Sequence, residues 1–160
     1  MEWQPQLTVV ATTAYAMALG GVIGFERELK NRPAGFRTHM LVAGASGLLL
    51  GIGLLALDDV AIPSSDAIRA DPLRLLEAVV AGVSFIGGGT IFASRGRDTV
   101  SGVTTAASLL MVAVIGASAG LRYYWLAAGS TALTLLVLTA LNAFERRFGI
   151  GARSARDRPN

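Results

Sequence analysis

Two groups of polar residues interrupt an otherwise apolar sequence, and both have residue types and spacings that could carry chemistry. The first is the stretch FERELKNRPAGFRTHM, residues 25–40, where two acids and four bases fall within a dozen positions. Glu26 directly follows a long apolar run, and a carboxylate at the edge of a membrane needs a nearby cation. A turn at residues 33–35 can bring Arg37 back towards Arg27. We therefore predict a charged cluster of Glu26, Arg27 and Arg37 that joins the flanking segments and can also be a site.

The second group combines a carboxylate, a run of glycines and several hydroxyl side chains. Three consecutive glycines weaken a helix by roughly 1 kcal/mol each relative to alanine. Transporters often have membrane helices broken at such places, whose free backbone groups line an ion or substrate site. Alternatively, the glycines make room for a crossing helix. The residues that could line an ion or ligand site are Glu77, Ser84, Gly87, Gly88, Gly89, Thr104, Thr105 and Ser108.

Glu77 is the best candidate for a metal ligand, because it is the only acid inside a predicted apolar span. Mg²⁺ prefers oxygen ligands and usually binds through carboxylates. However, Glu77 lies only about 9 Å along the helix from Asp71, and so near the interface. Arg74 shares its helix face and could pair with it instead. An interfacial ion pair and an ion-handling carboxylate are both open.

The hydroxyl groups do not predict catalysis. Thr104, Thr105 and Ser108 either hydrogen-bond to their own helix or face a polar vestibule. The chain has no cysteine and a single histidine, His39, which we interpret as an interfacial residue. Without a plausible nucleophile–base pair, we expect no catalytic residues, no enzyme activity and no resident cofactor.

Elements that cross a membrane must position these residues. Of the 160 residues, 52% are hydrophobic and only 16% are charged, and the mean hydropathy is +0.54. A bilayer core of about 30 Å needs roughly 20 apolar residues of helix. Five windows without Asp, Glu, Lys or Arg are long enough or nearly so: residues 3–25, 38–57, 78–94, 99–121 and 123–144. The sequence therefore predicts an integral membrane protein.

Continuous apolar runs favour helices over the alternating pattern of membrane strands. We predict an all-α membrane protein, a compact bundle of about five transmembrane helices within residues 1–148. The predicted spans are Leu7–Phe25, Met40–Leu57, Leu75–Ala93, Val103–Leu121 and Tyr123–Phe144. A four-span alternative, with one of the last two helices re-entrant, stays open. Residues 149–160 are predicted to be a disordered cytoplasmic tail.

Glycines four residues apart predict close approach of helix backbones in lipid. The pairs are Gly20–Gly24, Gly47–Gly51 and Gly116–Gly120. They predict compact packing inside the bundle, with a self-association face as the alternative.

The distribution of basic residues predicts the orientation. Eleven Lys and Arg residues fall on one side of the predicted helices and three on the other. The positive-inside rule then places the N-terminus outside and the C-terminus in the cytoplasm. The leading residues MEWQPQ lack a positive region, so we expect a retained first helix and not a signal peptide. Because topology explains the basic charge, no nucleic acid partner is expected.

Three motifs, in order along the chain, resemble the MgtC/SapB family of bacterial inner-membrane proteins. They are GGVIGFERELKNRPAGFRTHMLV (residues 20–42), DPLRLLEAVVAGVSFIGGGTI (71–91) and SGVTTAASLLMVAVIGASAG (101–120). The resemblance implies a multi-pass protein of the inner membrane that is linked to magnesium homeostasis. It also implies the short type, without the C-terminal soluble domain of longer members. The signature positions it implies are Glu26, Arg27, Arg37, Gly87, Gly89, Thr104 and Thr105.

Two functions follow from these features. The favoured one is a membrane regulator or interaction protein whose partners are the lipid bilayer and another membrane protein or a second copy of the chain. The alternative is a transporter or channel for Mg²⁺ or another ion that uses the glycine-rich third helix. The first is favoured because one acid inside a span gives a single copy no acidic pathway through the bilayer.

Overall fold

A computed structural model describes residues 3–58, 71–93 and 102–148, and these ranges contain five helices and no strand. The helices are α1 (Trp3–Leu29), α2 (Phe36–Asp58), α3 (Pro72–Ala93), α4 (Val103–Gly120) and α5 (Tyr124–Phe148). The prediction of an all-α membrane bundle of about five helices is confirmed. By length and composition α1 to α4 can each cross a membrane, whereas the apolar part of α5, Tyr124–Ala140, is shorter. The choice between four and five crossings stays a prediction, and the predicted tail lies outside the described residues.

The first connection is much shorter than the sequence predicted, because α1 and α2 both extend into it. Asn31 ends α1 in a left-handed conformation, with φ 51°, and the backbone N–H of Arg32 donates to the carbonyl of Arg27 at 3.1 Å. Glu28 then accepts the backbone N–H of Phe36, the first residue of α2, at 2.7 Å. The segment expected to be a loop is therefore mostly helix.

Helix α4 lies at the centre of the bundle and α3 at its edge. Of the apolar window in each helix, 56% of α4 is buried but only 17% of α3. The close packing of α4 depends on glycine, since a Cβ atom on Gly116 would meet the carbonyl oxygen of Ala43 in α2. The core is accordingly built from α1, α2 and α4.

Aromatic residues gather at the end of the bundle where α4 ends and α5 begins. A tight turn with φ 66° at Arg122 joins these two helices. The hydroxyl of Tyr15 in α1 donates to the carbonyl of Tyr124 at 3.1 Å, and the two rings meet edge to face. An apolar cleft of about 360 Å³ opens beside them, between α1 and α5. We call this the aromatic end.

Candidate functional site

The opposite end of the bundle, where α1 ends and α2 and α4 begin, carries buried charged residues, and we call it the charged end. Glu26 and Arg27 are 7% and 1% exposed. Arg27 Nη1 lies 3.7 Å from Glu26 Oε2, and Lys30 Nζ forms an ion pair with Glu26 Oε1. Lys30 also donates to the carbonyl of Leu138 in α5 at 3.0 Å. The acid therefore neutralises two cations and ties the end of α1 to α5.

The predicted cluster is formed only in part. Glu26 and Arg27 are brought together, but Arg37 is exposed at the start of α2, and no ion pair reaches it in the described ranges. Helix α1 continues past the predicted boundary, so Lys30, one turn after Glu26, takes the place expected for Arg37. The second acid of the stretch, Glu28, caps α2 instead of pairing with a base.

A second buried group joins α2 to α4 at the same end. His39 is fully buried, and its Nδ1 lies 2.9 Å from the carbonyl oxygen of Gly35. Its Nε2 lies 3.1 Å from the hydroxyl oxygen of Ser108, which is also 2.8 Å from the carbonyl oxygen of Thr105. His39 therefore joins the start of α2 to α4 at the charged end.

The hydrogen bonds around His39 depend on its protonation state. A carbonyl only accepts, so Nδ1 must carry a proton to bond Gly35. In neutral histidine Nε2 is then an acceptor, and the single hydroxyl proton of Ser108 must serve both Nε2 and the carbonyl of Thr105. In the imidazolium form Nε2 donates to Ser108, and all three contacts are satisfied. In either form the contact between His39 and Ser108 links α2 to α4.

The contact between His39 and Ser108 is one that our sequence analysis did not predict. A histidine nitrogen within hydrogen-bond distance of a serine hydroxyl is the geometry that activates a nucleophile. Here both side chains are buried between helices, and Ser108 bonds its own helix. The pair therefore holds α2 against α4.

The residues predicted to line an ion site do not converge. Helix α3 is continuous from Pro72 to Ala93, so it is not broken at the three glycines. Glu77 and Ser84 are both exposed on α3, while Thr105 and Ser108 are buried in α4 and Thr104 is exposed. Of the residues predicted to line an ion site, the structure brings Thr105 and Ser108 together, beside His39.

Glu77 has no partner in the part of the chain that the structure describes. No ion pair joins it to Arg74, although both side chains are exposed on the same helix. Within the described ranges no three His, Asp or Glu side chains lie close enough to hold a metal ion. Glu77 is thus a single carboxylate on an open face.

The three consecutive glycines have different surroundings. A Cβ atom on Gly87 would lie 3.2 Å from the Cβ of Ala106 in α4, so this glycine allows α3 to pack. A Cβ atom on Gly88 or Gly89 would meet nothing within 4 Å. Only the first of the three is needed for contacts within one copy.

Comparison with known proteins decides the family. The model of the MgtC family matches residues 14–147, which is most of the chain. The chain belongs to the MgtC family. The predicted resemblance is confirmed, and this family member is a helical membrane protein.

Three relatives of this MgtC-family chain illustrate the similarity. Protein SapB of Bacillus subtilis is 33% identical over 93% of this chain and 63% of its own length. Protein SrpB of Synechococcus elongatus is 36% identical over 82% of this chain and 73% of its own. The "Putative magnesium transporter YhiD" of Escherichia coli K12 is 38% identical over 74% of this chain and 53% of its own. The chain thus spans about half to three quarters of these relatives, and no solved structure matches it.

The glycine pairs of this MgtC-family member lie against neighbouring helices of the same chain. A Cβ atom on Gly20 would lie 2.5 Å from the carbonyl oxygen of His39, and one on Gly24 would lie 2.8 Å from Cα of Phe36. The remaining four are also closely packed: Gly47 against Gly116, Gly51 against Val9, Gly116 against Ala43, and Gly120 against Gly47.

Sequence reasoning missed two residues at the charged end. Lys30 stands at i+4 from Glu26, the spacing of an intrahelical ion pair, but only once α1 is known to continue. His39 precedes Ala43 and Gly47 at four-residue spacing, and all three are buried. That helical stripe was the available signal for a core histidine.

Proposed function

We propose that this chain is a multi-pass protein of the bacterial inner membrane that acts in magnesium homeostasis as a regulator or interaction partner. Its charged end faces the cytoplasm, in keeping with the bias of basic residues. The link to magnesium is supported by membership of the MgtC family and by the name of the Escherichia coli relative. The chain is not an enzyme, and Mg²⁺ is not its resident cofactor.

The open face of α3 carries this proposal. Arg74, Glu77, Ala81 and Phe85 are exposed on α3, and Phe85 is 86% exposed. Arg74 and Glu77 lie near the membrane interface, and exposed charges there, beside a large exposed aromatic ring, suit a contact with a protein partner. The charged side chains at the end of α1, in contrast, pair with one another or cap α2. The exposed face of α3 thus combines charged, small and large apolar side chains. Such a mixed surface is typical of a contact with another membrane protein.

The transporter alternative rests on the same carboxylate. Glu77 from several copies could form a ring of acidic ligands, since Mg²⁺ binds through carboxylates and keeps much of its water. The name of the Escherichia coli relative favours this function. A continuous α3, and the lack of any group of three or more His, Asp or Glu side chains in the described ranges, favour regulation instead.

A flux measurement separates the two functions. The purified chain is reconstituted into liposomes that contain a fluorescent Mg²⁺ indicator, and Mg²⁺ is added outside. A regulator gives no uptake above that of empty liposomes. Uptake by the wild type that Glu77→Gln abolishes, with the folded protein still present, would establish transport instead.

A growth assay tests the α3 face itself. A bacterial strain that lacks its own MgtC-family gene and grows poorly at low Mg²⁺ is complemented with variants. Glu77→Gln and Phe85→Ala should lose complementation at wild-type protein levels. Leu133→Ala is the matched control, because Leu133 is 64% exposed on α5. Equal growth of all three variants would contradict a role for this face.

A further inference from the structure

The guanidinium of Arg27 has an unoccupied hydrogen-bonding edge inside the protein. Its Nη1 faces Glu26, but Nε and Nη2 are buried and have no hydrogen-bond partner among the residues that the structure describes. These two nitrogens form one side of the guanidinium plane, and their parallel N–H groups match the two oxygens of a carboxylate or phosphate. Buried donors without acceptors are rare in native proteins and call for an explanation.

The local charge also lacks a negative complement. Within the described residues, Glu26 is the one acid that pairs with Arg27 and Lys30. The charge of Arg32 acts on Arg27 as well, since the backbone N–H of Arg32 bonds the carbonyl of Arg27 and holds the two residues together. Among the described residues, two cations therefore share one carboxylate and Arg32 lies beside Arg27, while Glu28 is occupied at the start of α2.

The position of Arg27 points to the kind of anion. Arg27 lies in the last turn of α1, two residues before Leu29 ends the helix. Where a membrane-crossing helix ends, it reaches the level of the lipid headgroups. An anion at this depth does not need to enter the hydrocarbon core.

We propose that a phosphate oxyanion binds the Nε–Nη2 edge of Arg27, with Arg32 contributing from the surface. Its source is either the headgroup of an anionic phospholipid or free inorganic phosphate. This site is separate from the α3 face, and it makes the charged end a place where the bundle responds to lipid or phosphate. Nη1 and Glu26 hold the guanidinium in place while the opposite edge takes the ligand.

NMR can detect this contact in the wild-type chain. The full-length protein with ¹⁵N-arginine is delipidated in a maltoside detergent, which contains no phosphorus. The sample is then exchanged briefly into D₂O, so that deuterium replaces the protons of exposed guanidinium groups. After this exchange the sample is frozen. Coupling between ³¹P and guanidinium ¹⁵N is measured with no addition, with inorganic phosphate and with phosphatidylglycerol. The Arg27 signal is assigned through its backbone correlations with Glu26 and Glu28.

We expect coupling at the Arg27 nitrogens in one of the two additions. Coupling with phosphatidylglycerol alone identifies a lipid headgroup, and coupling with inorganic phosphate identifies the free ion. Arg27→Lys keeps the charge but loses the planar edge, and should weaken binding by about tenfold or more. Arg122→Lys, at the aromatic end, is the matched control and should bind as the wild type does.

Two outcomes overturn the proposal. One is an absence of ³¹P coupling at Arg27 with both additions. The other is binding by Arg27→Lys with wild-type affinity. Because the coupling is read in the wild type, the first outcome stays decisive even where Arg27→Lys does not fold.

Discussion

The α1–α2–α4 core and the peripheral helix α3 use the same kinds of residue in opposite ways. In the core, a glycine such as Gly116 brings two helix backbones together, a glutamate pairs with cations, and a serine bonds a histidine on another helix. On α3, Gly88 faces open space, Glu77 has no partner in the described residues, and Ser84 bonds only its own helix at Val80. Identical side chains therefore stabilise the fold in one region and remain available in the other.

This contrast shows that the effect of a residue on the stability of a membrane helix depends on what its side chain or backbone contacts. A glycine weakens any helix, but close helix packing can offset that loss. In the core, helices of the same chain supply the close packing that compensates for glycine. At Gly88 and Gly89 the described residues offer no such contact. This difference supports the proposal that α3 serves interaction, whereas the core serves structure.

The largest difference in the free energy of unfolding is expected between variants of the two glutamates, Glu26 and Glu77. Glu26→Gln leaves buried Arg27 and half-buried Lys30 without a carboxylate, and breaking a buried ion pair costs about 3–5 kcal/mol. Glu77→Gln should change the free energy of unfolding by less than about 0.5 kcal/mol, because Glu77 is exposed. Denaturant unfolding of the purified variants in mixed micelles measures both. Arg32→Gln, an exposed base beside the cluster, is the control and should resemble Glu77→Gln. Equal losses for the two glutamates would remove the distinction between core and α3.

A smaller difference is expected between two glycine-to-alanine changes. In Gly116→Ala the new Cβ meets the carbonyl oxygen of Ala43 and lies 2.8 Å from its carbonyl carbon. Since this backbone cannot move freely, the loss should be about 3 kcal/mol, near the upper end for overpacking. Gly88→Ala meets nothing within 4 Å and should raise stability by up to about 1 kcal/mol through helix propensity. The same unfolding assay applies, and a destabilised Gly88→Ala would show that this face is packed in the monomer.

Two serines give the next test. Ser108→Ala removes the hydrogen-bond partner of His39 Nε2, and leaving a buried polar group unpaired costs about 1–3 kcal/mol. Ser84→Ala removes an exposed hydroxyl that bonds its own helix, so we expect little change. The same denaturant unfolding assay measures both variants. A Ser108→Ala variant as stable as Ser84→Ala would contradict the proposed link.

The fold could be predicted from the sequence because membrane-crossing helices require long apolar segments, which are easily recognised. Charge-free windows mark the spans, and Asp71-Pro72 marks the start of α3, where Asp71 Oδ1 accepts the N–H of Leu73 at 2.9 Å. The boundaries of α1 and α2 were missed for a related reason. Charged residues were assumed to end a span, whereas Glu26, Arg27 and Lys30 neutralise one another and let α1 continue as helix.

The candidate site was less predictable, because it depends on which residues face each other across helices. Arg37 was chosen as the partner of Glu26 from a turn, but its direction at the start of α2 is set by packing. The contact between His39 and Ser108 joins residues 69 positions apart, and no local pattern specifies it. Spacing along one helix could reveal Lys30 and the buried stripe of α2, but not the pairing of α2 with α4.

The smallest effect that we expect concerns the start of α3. Asp71→Ala removes the acceptor for the N–H of Leu73, and loss of such a cap costs about 1 kcal/mol. Because α3 is less buried than α1, α2 and α4, this loss should stay local, with amides in its first turn exchanging about fivefold faster while α2 and α4 are unchanged. Asp71→Asn keeps a capping oxygen and should exchange as the wild type does. Hydrogen exchange read by mass spectrometry resolves the helices separately. Faster exchange throughout the core would mean that α3 unfolds together with α1, α2 and α4, which would contradict the distinction between α3 and the core.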